Sequence, residues 1–176
     1  LKEVDAAVDS LEVQGNVLIN GGTLGNNTWT ADLTFKTLNI TSGTYKATEG
    51  STIITDRLGT GAQFSSAVAG VVHNDGTFDF RGSSGGASDI RLNGASTGTN
   101  GFHDVIINTS YAISINSYAL AIDGTLTITA GTFIPNNNEA LTVTGATLIN
   151  GGTLTCNDST IILGSGVLGA PYGLGV

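Results

Sequence analysis

Few residues in this chain of 176 could do chemistry, and their spacing decides which chemistry that would be. His73, Asp75 and Asp79 share strand parity, so an uninterrupted strand would project all three from one face. Acidic residues on one face of a β-helix could serve glycan cleavage, which needs a general acid and a base or nucleophile about 5 to 10 Å apart. Gly76, however, predicts a turn between Asp75 and Asp79, and a turn breaks that alignment. Asp56, Asp89, Asp104 and Asp123 supply no second pair, being spread singly along the chain. His103, in the run GFHDV, is equally unsupported as a ligand. Cys156 is the single cysteine, which excludes an internal disulfide and a Cys-based metal set. Alternation in GTLTCNDST gives it an ordinary packing position, as a small hydrophobe. The expectation is a chain that is not an enzyme, with no catalytic, cofactor-binding or metal-ligating residue.

Charge narrows the partners. Six Lys and Arg against fourteen Asp and Glu give a net charge of −8, the wrong sign for a phosphate backbone, so no nucleic acid is expected. The charged fraction of 11 % is less than half the usual ~25 %. Disorder goes with high charge and low hydrophobicity, and this chain has neither. No apolar run reaches the ~18 residues of a membrane span. No G-x-G-x-x-G opens a helix, and the Asp-Gly and Asn-Gly steps do not form the tandem nonapeptides of calcium-binding β-rolls. The Asn-x-Ser/Thr triplets at Asn26, Asn39, Asn108 and Asn157 are what chance gives in a chain with twenty-five Thr.

What must position these residues is a repeat. LEVQGNVLINGGTL (11–24) returns as LTVTGATLINGGTL (141–154), with ten of fourteen positions identical. Gly-Thr followed by a bulky apolar residue occurs six times, at Gly22, Gly43, Gly76, Gly124, Gly131 and Gly152. The interval from Gly22 to Gly43 equals that from Gly131 to Gly152, and the others are irregular. LNITSGTY (38–45) resembles LTITAGTF (126–133), and GSTIIT (50–55) resembles DSTIIL (158–163). Within the phrases apolar residues alternate with polar ones, as Leu126 and Ile128 do with Thr127 and Thr129, which is the period of a strand. Thr and Ile are stiff at χ1 and suit a pleated, half-buried surface, while Gly, Asn, Asp and Ser end the runs in turns. Aromatic residues are 6 % and Met is absent, so a narrow core of Leu, Ile and Val is expected. The fold class that follows is all-β, a right-handed parallel β-helix, or β-solenoid. At about twenty residues per turn it would make seven or eight turns, a rod of about 35 Å at ~4.8 Å per strand.

Three parts are expected along the chain. In residues 1–10, Leu1, Val4 and Val8 lead to Leu11 at a 3-4-3 spacing, which predicts a short helix serving as N-terminal cap or oligomerisation segment, with a strand as the remaining alternative. Residues 11–165 form the solenoid. Residues 166–176, GVLGAPYGLGV, end the pattern as a Gly-rich docking or capping tail. Between Ala62 and Gly101 the repeat loosens and the loops lengthen; such insertions gather on one face of a solenoid, either as a binding face or as an enlarged solvated turn. The Thr-x-Thr pairs Thr28/Thr30, Thr127/Thr129, Thr142/Thr144 and Thr153/Thr155 raise the alternative of an ice-binding face, against which their uneven spacing counts.

The run from Gly76 to Leu163, with its phrases FHDVIIN, LTITAGTF and LTVTG, is similar to two groups of degenerate strand repeats. One belongs to secreted bacterial surface proteins, including adhesins of the autotransporter type; the other belongs to tail-fibre and other structural proteins of bacteriophages. The likeness covers residues 11 to 165 and contains no active-site motif. It implies a stiff, non-catalytic rod, trimeric in many phage fibres. The function expected is a virion fibre or capsid-decoration protein of a bacteriophage that builds the particle or contacts the host surface. The alternatives are a bacterial extracellular adhesin or filament subunit and a glycan-degrading β-helix enzyme, a depolymerase. A chain short for an adhesin favours the phage. Expected partners are further copies of the chain, as a trimer or a head-to-tail stack, other virion or surface-assembly proteins, and a host cell-surface glycan. The expected location is the virion or the cell surface, and no cofactor is implied.

Overall fold

The computed structural model describes residues 10–56, 61–66, 70–82, 87–92, 101–116, 118–135 and 138–164. The expected helix over 1–10 lies outside them except for Ser10, which is already strand, and the tail 166–176 lies outside them altogether.

Alternating apolar and polar residues make strands here, and glycine-bearing corners bend the strands into a coil. Two long strands, β1 (Ser10–Leu24) and β2 (Asp32–Lys46), each run round most of a turn. They are followed by β3 (Ser51–Ile54), β4 (Ala62–Ser66), β5 (Val71–Val72), β6 (Thr77–Gly82) and β7 (Ser88–Leu92). The next turns are built from β8 (Asp104–Asn116), β9 (Leu120–Ile122), β10 (Leu126–Pro135) and β11 (Leu141–Val143). The last is β12 (Thr147–Ile149), β13 (Thr153–Leu154) and β14 (Ile161–Leu163), and no helix occurs among the described residues.

Every strand pairing among the described residues is parallel, and the pairings sort the strands onto three sides of a solenoid. The first side is a continuous register of Leu11, Leu33, Thr52, Phe78, Val105, Leu126 and Thr147. The second carries Val17, Leu38, Phe64, Ile90, Ile115 and Pro135. On the third, Leu24, Tyr45 and Val71 are in register near one end, and Leu120, Leu141 and Ile161 near the other. A bridge from Phe102 to Ile122 extends the third side between them.

The solenoid has about six turns, not seven or eight. The first side climbs from Leu11 to Thr147 in six steps, and the steps from Thr52 to Phe78 and from Phe78 to Val105 are the longest of them. The loosened middle therefore consumes chain without adding rungs. The equal Gly-Thr intervals do mark adjacent turns, since Thr23 pairs with Thr44 and Thr132 with Thr153. Six steps span about 29 Å.

The core is aromatic in the middle rather than uniformly aliphatic. Phe35, Phe64, Phe78, Phe80, Phe102 and Phe133, which are all the phenylalanines of the chain, are each 1 % exposed or less. Phe78 is their hub, with edge-on ring contacts at 4.5 Å to Phe102, 5.9 Å to Phe64 and 6.1 Å to Tyr45. Each such contact contributes about 0.5–1.5 kcal/mol beyond area burial. A low aromatic percentage does not limit the core when strand parity turns every phenylalanine and Tyr45 inward. Tyr45 keeps its hydroxyl paired, 2.7 Å from Thr52 Oγ1.

The two near-identical phrases lie on different sides. In the first copy Leu11–Val13 are on the first side, Val17–Ile19 on the second and Thr23–Leu24 on the third. In the second copy Leu141–Val143 are on the third side, Thr147–Ile149 on the first and Thr153–Leu154 on the second. The Thr-x-Thr pairs are scattered by the same shift, with Thr127 on the first side, Thr142 on the third and Thr153 on the second. They do not form one flat threonine face.

Candidate functional site

The corner between the third and first sides gathers residues that are far apart in sequence. After β5 the chain turns through Asn74 and Asp75, both left-handed at φ 50° and 56°, and the Gly76 N–H donates to the His73 carbonyl. Positive φ at both central residues is the type I′ geometry, which Asn and Asp tolerate. The turn expected at Gly76 is present, and it separates Asp79 from His73 and Asp75. It also binds the histidine: the Asp75 N–H donates to His73 Nδ1 at 3.0 Å.

The fold gathers three of the acidic residues that are scattered in sequence, Asp75, Asp104 and Asp123, while Asp56 and Asp89 lie elsewhere. His73, 5 % exposed, lies ring to ring with His103 of the following turn at 5.5 Å. Asp75 Oδ1 is 3.5 Å from His73 Nδ1, Asp123 Oδ2 is 3.5 Å from His73 Nε2, and Asp104 Oδ2 is 3.5 Å from His103 Nδ1. Asp104 Oδ1 accepts from the Thr125 N–H at 2.6 Å, and Gly124 lies so close to His103 and Asp104 that a Cβ there would collide with both. Asp32 performs the same task three turns earlier, accepting from the Ser51 N–H at 2.7 Å. These contacts follow from stacking turns of unequal length, so a fixed sequence interval would not reveal them. Chemically, His73 and Asp104 are spent on backbone N–H groups. His73 is buried with Nδ1 committed, and its 3.5 Å carboxylate contacts are long for charge-assisted hydrogen bonds. Among the described residues no group of three or more His, Cys, Asp and Glu side chains is arranged to hold a metal ion.

Asp79 and Asp89 have different partners, two residues along their own strands. Asp79 is 4 % exposed, and its Oδ2 accepts from Arg81 Nε at 2.8 Å and contacts Arg81 Nη2 at 2.7 Å. That hydrogen bond holds the Arg81 guanidinium pKa above its ordinary value. Asp89 holds Arg91 in the same way, with Arg91 Nη2 2.9 Å away. The signal was in the sequence, since Asp-Phe-Arg and Asp-Ile-Arg on strands place acid and base on one face. Cys156 is exposed rather than packed, its Sγ 3.0 Å from the Ser159 carbonyl oxygen, because it falls at the bend after β13 where alternation has ended.

The corner between the first and second sides holds an open groove of about 540 Å³, lined by Thr55, Arg81, Gly82, Asn108, Thr109, Ser110 and Ala130. Four successive turns contribute to it: Arg81 pairs with Asn108, Gly82 with Thr109, and Asn108 with Ala130. Its floor is braced from beneath. Buried Gln63 donates to the Arg81 carbonyl at 2.6 Å and to the Tyr111 hydroxyl at 2.9 Å, and Thr109 Oγ1 donates to the Tyr111 carbonyl at 2.6 Å. A side chain at Gly82 would run into the Tyr111 hydroxyl and ring and displace them. Only Arg81 and Gly82 of this lining come from the 62–101 stretch singled out in the sequence; the other lining residues belong to the flanking turns.

Comparison with known proteins finds no matching family model, no matching curated protein and no matching solved structure.

Proposed function

We propose that this chain is a non-enzymatic structural β-solenoid, a stiff element of a bacteriophage particle that serves as fibre or capsid decoration and stands at the virion surface. The observation that carries the reading is the uninterrupted parallel register on the first side, from Leu11 to Thr147, over a sealed core. Backbone hydrogen bonds between turns run along the rod axis, so bending the rod strains a whole ladder. The acidic residues support the same reading: Asp32 and Asp104 fasten the next turn, and Asp79 and Asp89 hold arginines. The chain would work as a trimer or a head-to-tail stack beside other proteins of the particle, with a host glycan as its outward contact.

Sedimentation and negative-stain imaging of the purified chain, together with a reducing-sugar assay on bacterial polysaccharides, test this. An elongated assembly with no polysaccharide turnover is expected. A compact monomer that releases reducing ends would overturn the reading in favour of a depolymerase. Antibody labelling of phage particles against bacterial cells separates the virion from a cell-surface adhesin or filament.

A further inference from the structure

We propose that the groove between the first and second sides binds an uncharged oligosaccharide. The proposal rests on the reading of the chain as a surface solenoid and gives its outward contact a place and a chemistry.

Shape is the first argument. The lining runs from Thr55 after β3, through Arg81 and Asn108, to Ala130 in β10, three steps along the rod, or about 14 Å. A trough of that form suits an extended chain better than a compact metabolite. Among the described residues it is open to solvent, so an extended ligand can enter it from the side.

The lining sets the chemistry. Asn108 and Ser110 carry neutral groups that both donate and accept, and Thr55 Oγ1, which donates to the Phe35 carbonyl at 3.2 Å, can still accept, which together complement a polyhydroxylated chain. Arg81, with its side chain 49 % exposed, is the only charged residue of the described lining, and buried Asp79 compensates it. Two of the five guanidinium donors point at Asp79, which fixes the plane of the fork. A ligand hydroxyl or ring oxygen therefore meets an oriented donor without a net positive charge behind it. A polyanion would gain little from that pair and would approach a chain of net charge −8. A polycation would find no carboxylate in the described lining. An extended peptide would want unpaired strand edges or apolar pockets, whereas these turns are paired on both sides and the described lining offers only Ala130 as an apolar side chain. The floor is prepared in advance by Gln63, Tyr111 and Thr109, so little ordering remains for a ligand to bring about.

The experiment is a glycan array carrying uncharged hexasaccharides (gluco-, manno- and galacto-configured) beside oligogalacturonate and hyaluronan hexasaccharides. Titration calorimetry on the full chain follows, using the best uncharged hit. Binding of at least one uncharged hexasaccharide is expected, with affinity reduced at least tenfold by Arg81→Gln and by Ser110→Trp. Because Arg81→Gln leaves Asp79 without its cation and could loosen the fold, Ser110→Trp, an exposed steric block, is the deciding variant, read beside an unchanged melting curve. The proposal is overturned if no uncharged glycan binds, if the acidic hexasaccharides bind in preference, or if Ser110→Trp binds like the parent chain. A rod that assembles but binds no glycan would leave the structural reading in place and end this one.

Discussion

The first and second copies of the repeated phrase share ten of fourteen residues, yet the fold uses them differently. Leu141, Val143 and Leu154 are sealed at 1 % exposure or less, whereas their counterparts Leu11, Val13 and Leu24 are only half-buried at the first rung. Ile149 and Ile19 are both buried, at 4 % and 5 %, and Leu148 and Leu18 both face outward, at 37 % and 61 %. The phrase thus specifies which residues face in and out around a corner. It does not specify which of the three sides receives it, since all are built from the same short alternating strands. A neighbouring turn then decides how much each inward residue is worth.

That comparison can be broken most sharply at its first residue. Leu141→Ala should cost about 3 kcal/mol, whereas Leu11→Ala should cost about 1 kcal/mol, because a sealed site leaves a cavity and a half-open one does not. Urea midpoints at constant slope measure both, and equal losses would mean that the first rung is covered as fully as the last. The second glycine of the shared GG comes next. A Cβ on Gly152 would collide with Ile128 and lie 2.8 Å from the Gly131 carbonyl oxygen, while one on Gly22 meets nothing within 4 Å. Gly152→Ala is expected to lose about 2 kcal/mol to overpacking. Gly22→Ala should lose about 1 kcal/mol, from its φ of 71° alone.

A third test acts on the neighbours of the two copies. Leu24 pairs with Tyr45, and its counterpart Leu154 pairs with Phe133. Tyr45→Phe makes the two neighbours alike at a cost of about 1 kcal/mol, since buried Thr52 Oγ1 loses its 2.7 Å partner. Burial pushes the Tyr45 phenol well above its ordinary range, and the Thr52 hydrogen bond offsets part of that. The folded state therefore keeps a proton that the unfolded chain releases near pH ~10. Stability from this group is complete below that pH and declines as pH rises above it. Tyr45→Phe should flatten that alkaline decline in melts taken from pH 8 to 11, and an unaltered slope would exclude Tyr45 as its source. The smallest effect is expected where the copies agree: Leu18→Ser and Leu148→Ser should each stay within about 0.5 kcal/mol, as outward positions do.

How much of this was legible beforehand depends on the range of the contact. Alternation in LTITAGTF and LTVTG marked the strands, and the equal Gly-Thr intervals marked two pairs of adjacent turns, because both are set by residues close in sequence. The turn at Gly76 was legible for the same reason. The pairing of His73 with His103 and Asp123 was not, since the two longest turns of the coil, Thr52 to Phe78 and Phe78 to Val105, meet at that corner, and irregular intervals do not say which residues stack on which. The groove was half legible. Arg81 lies in the stretch where insertions were expected, but Asn108 and Ser110 reach it from regular turns.

By itself the amino-acid order determined the parallel coil, the inward residues and the corners, because period-two alternation and glycine placement act over a few residues. The tertiary structure decided the number of turns, the aromatic hub around Phe78, the gathering of His73, His103, Asp104 and Asp123 at one corner, and the side on which each repeated phrase lies. Those depend on how much chain each turn consumes before it meets the one beneath it, a length summed over the whole coil and carried by no single phrase.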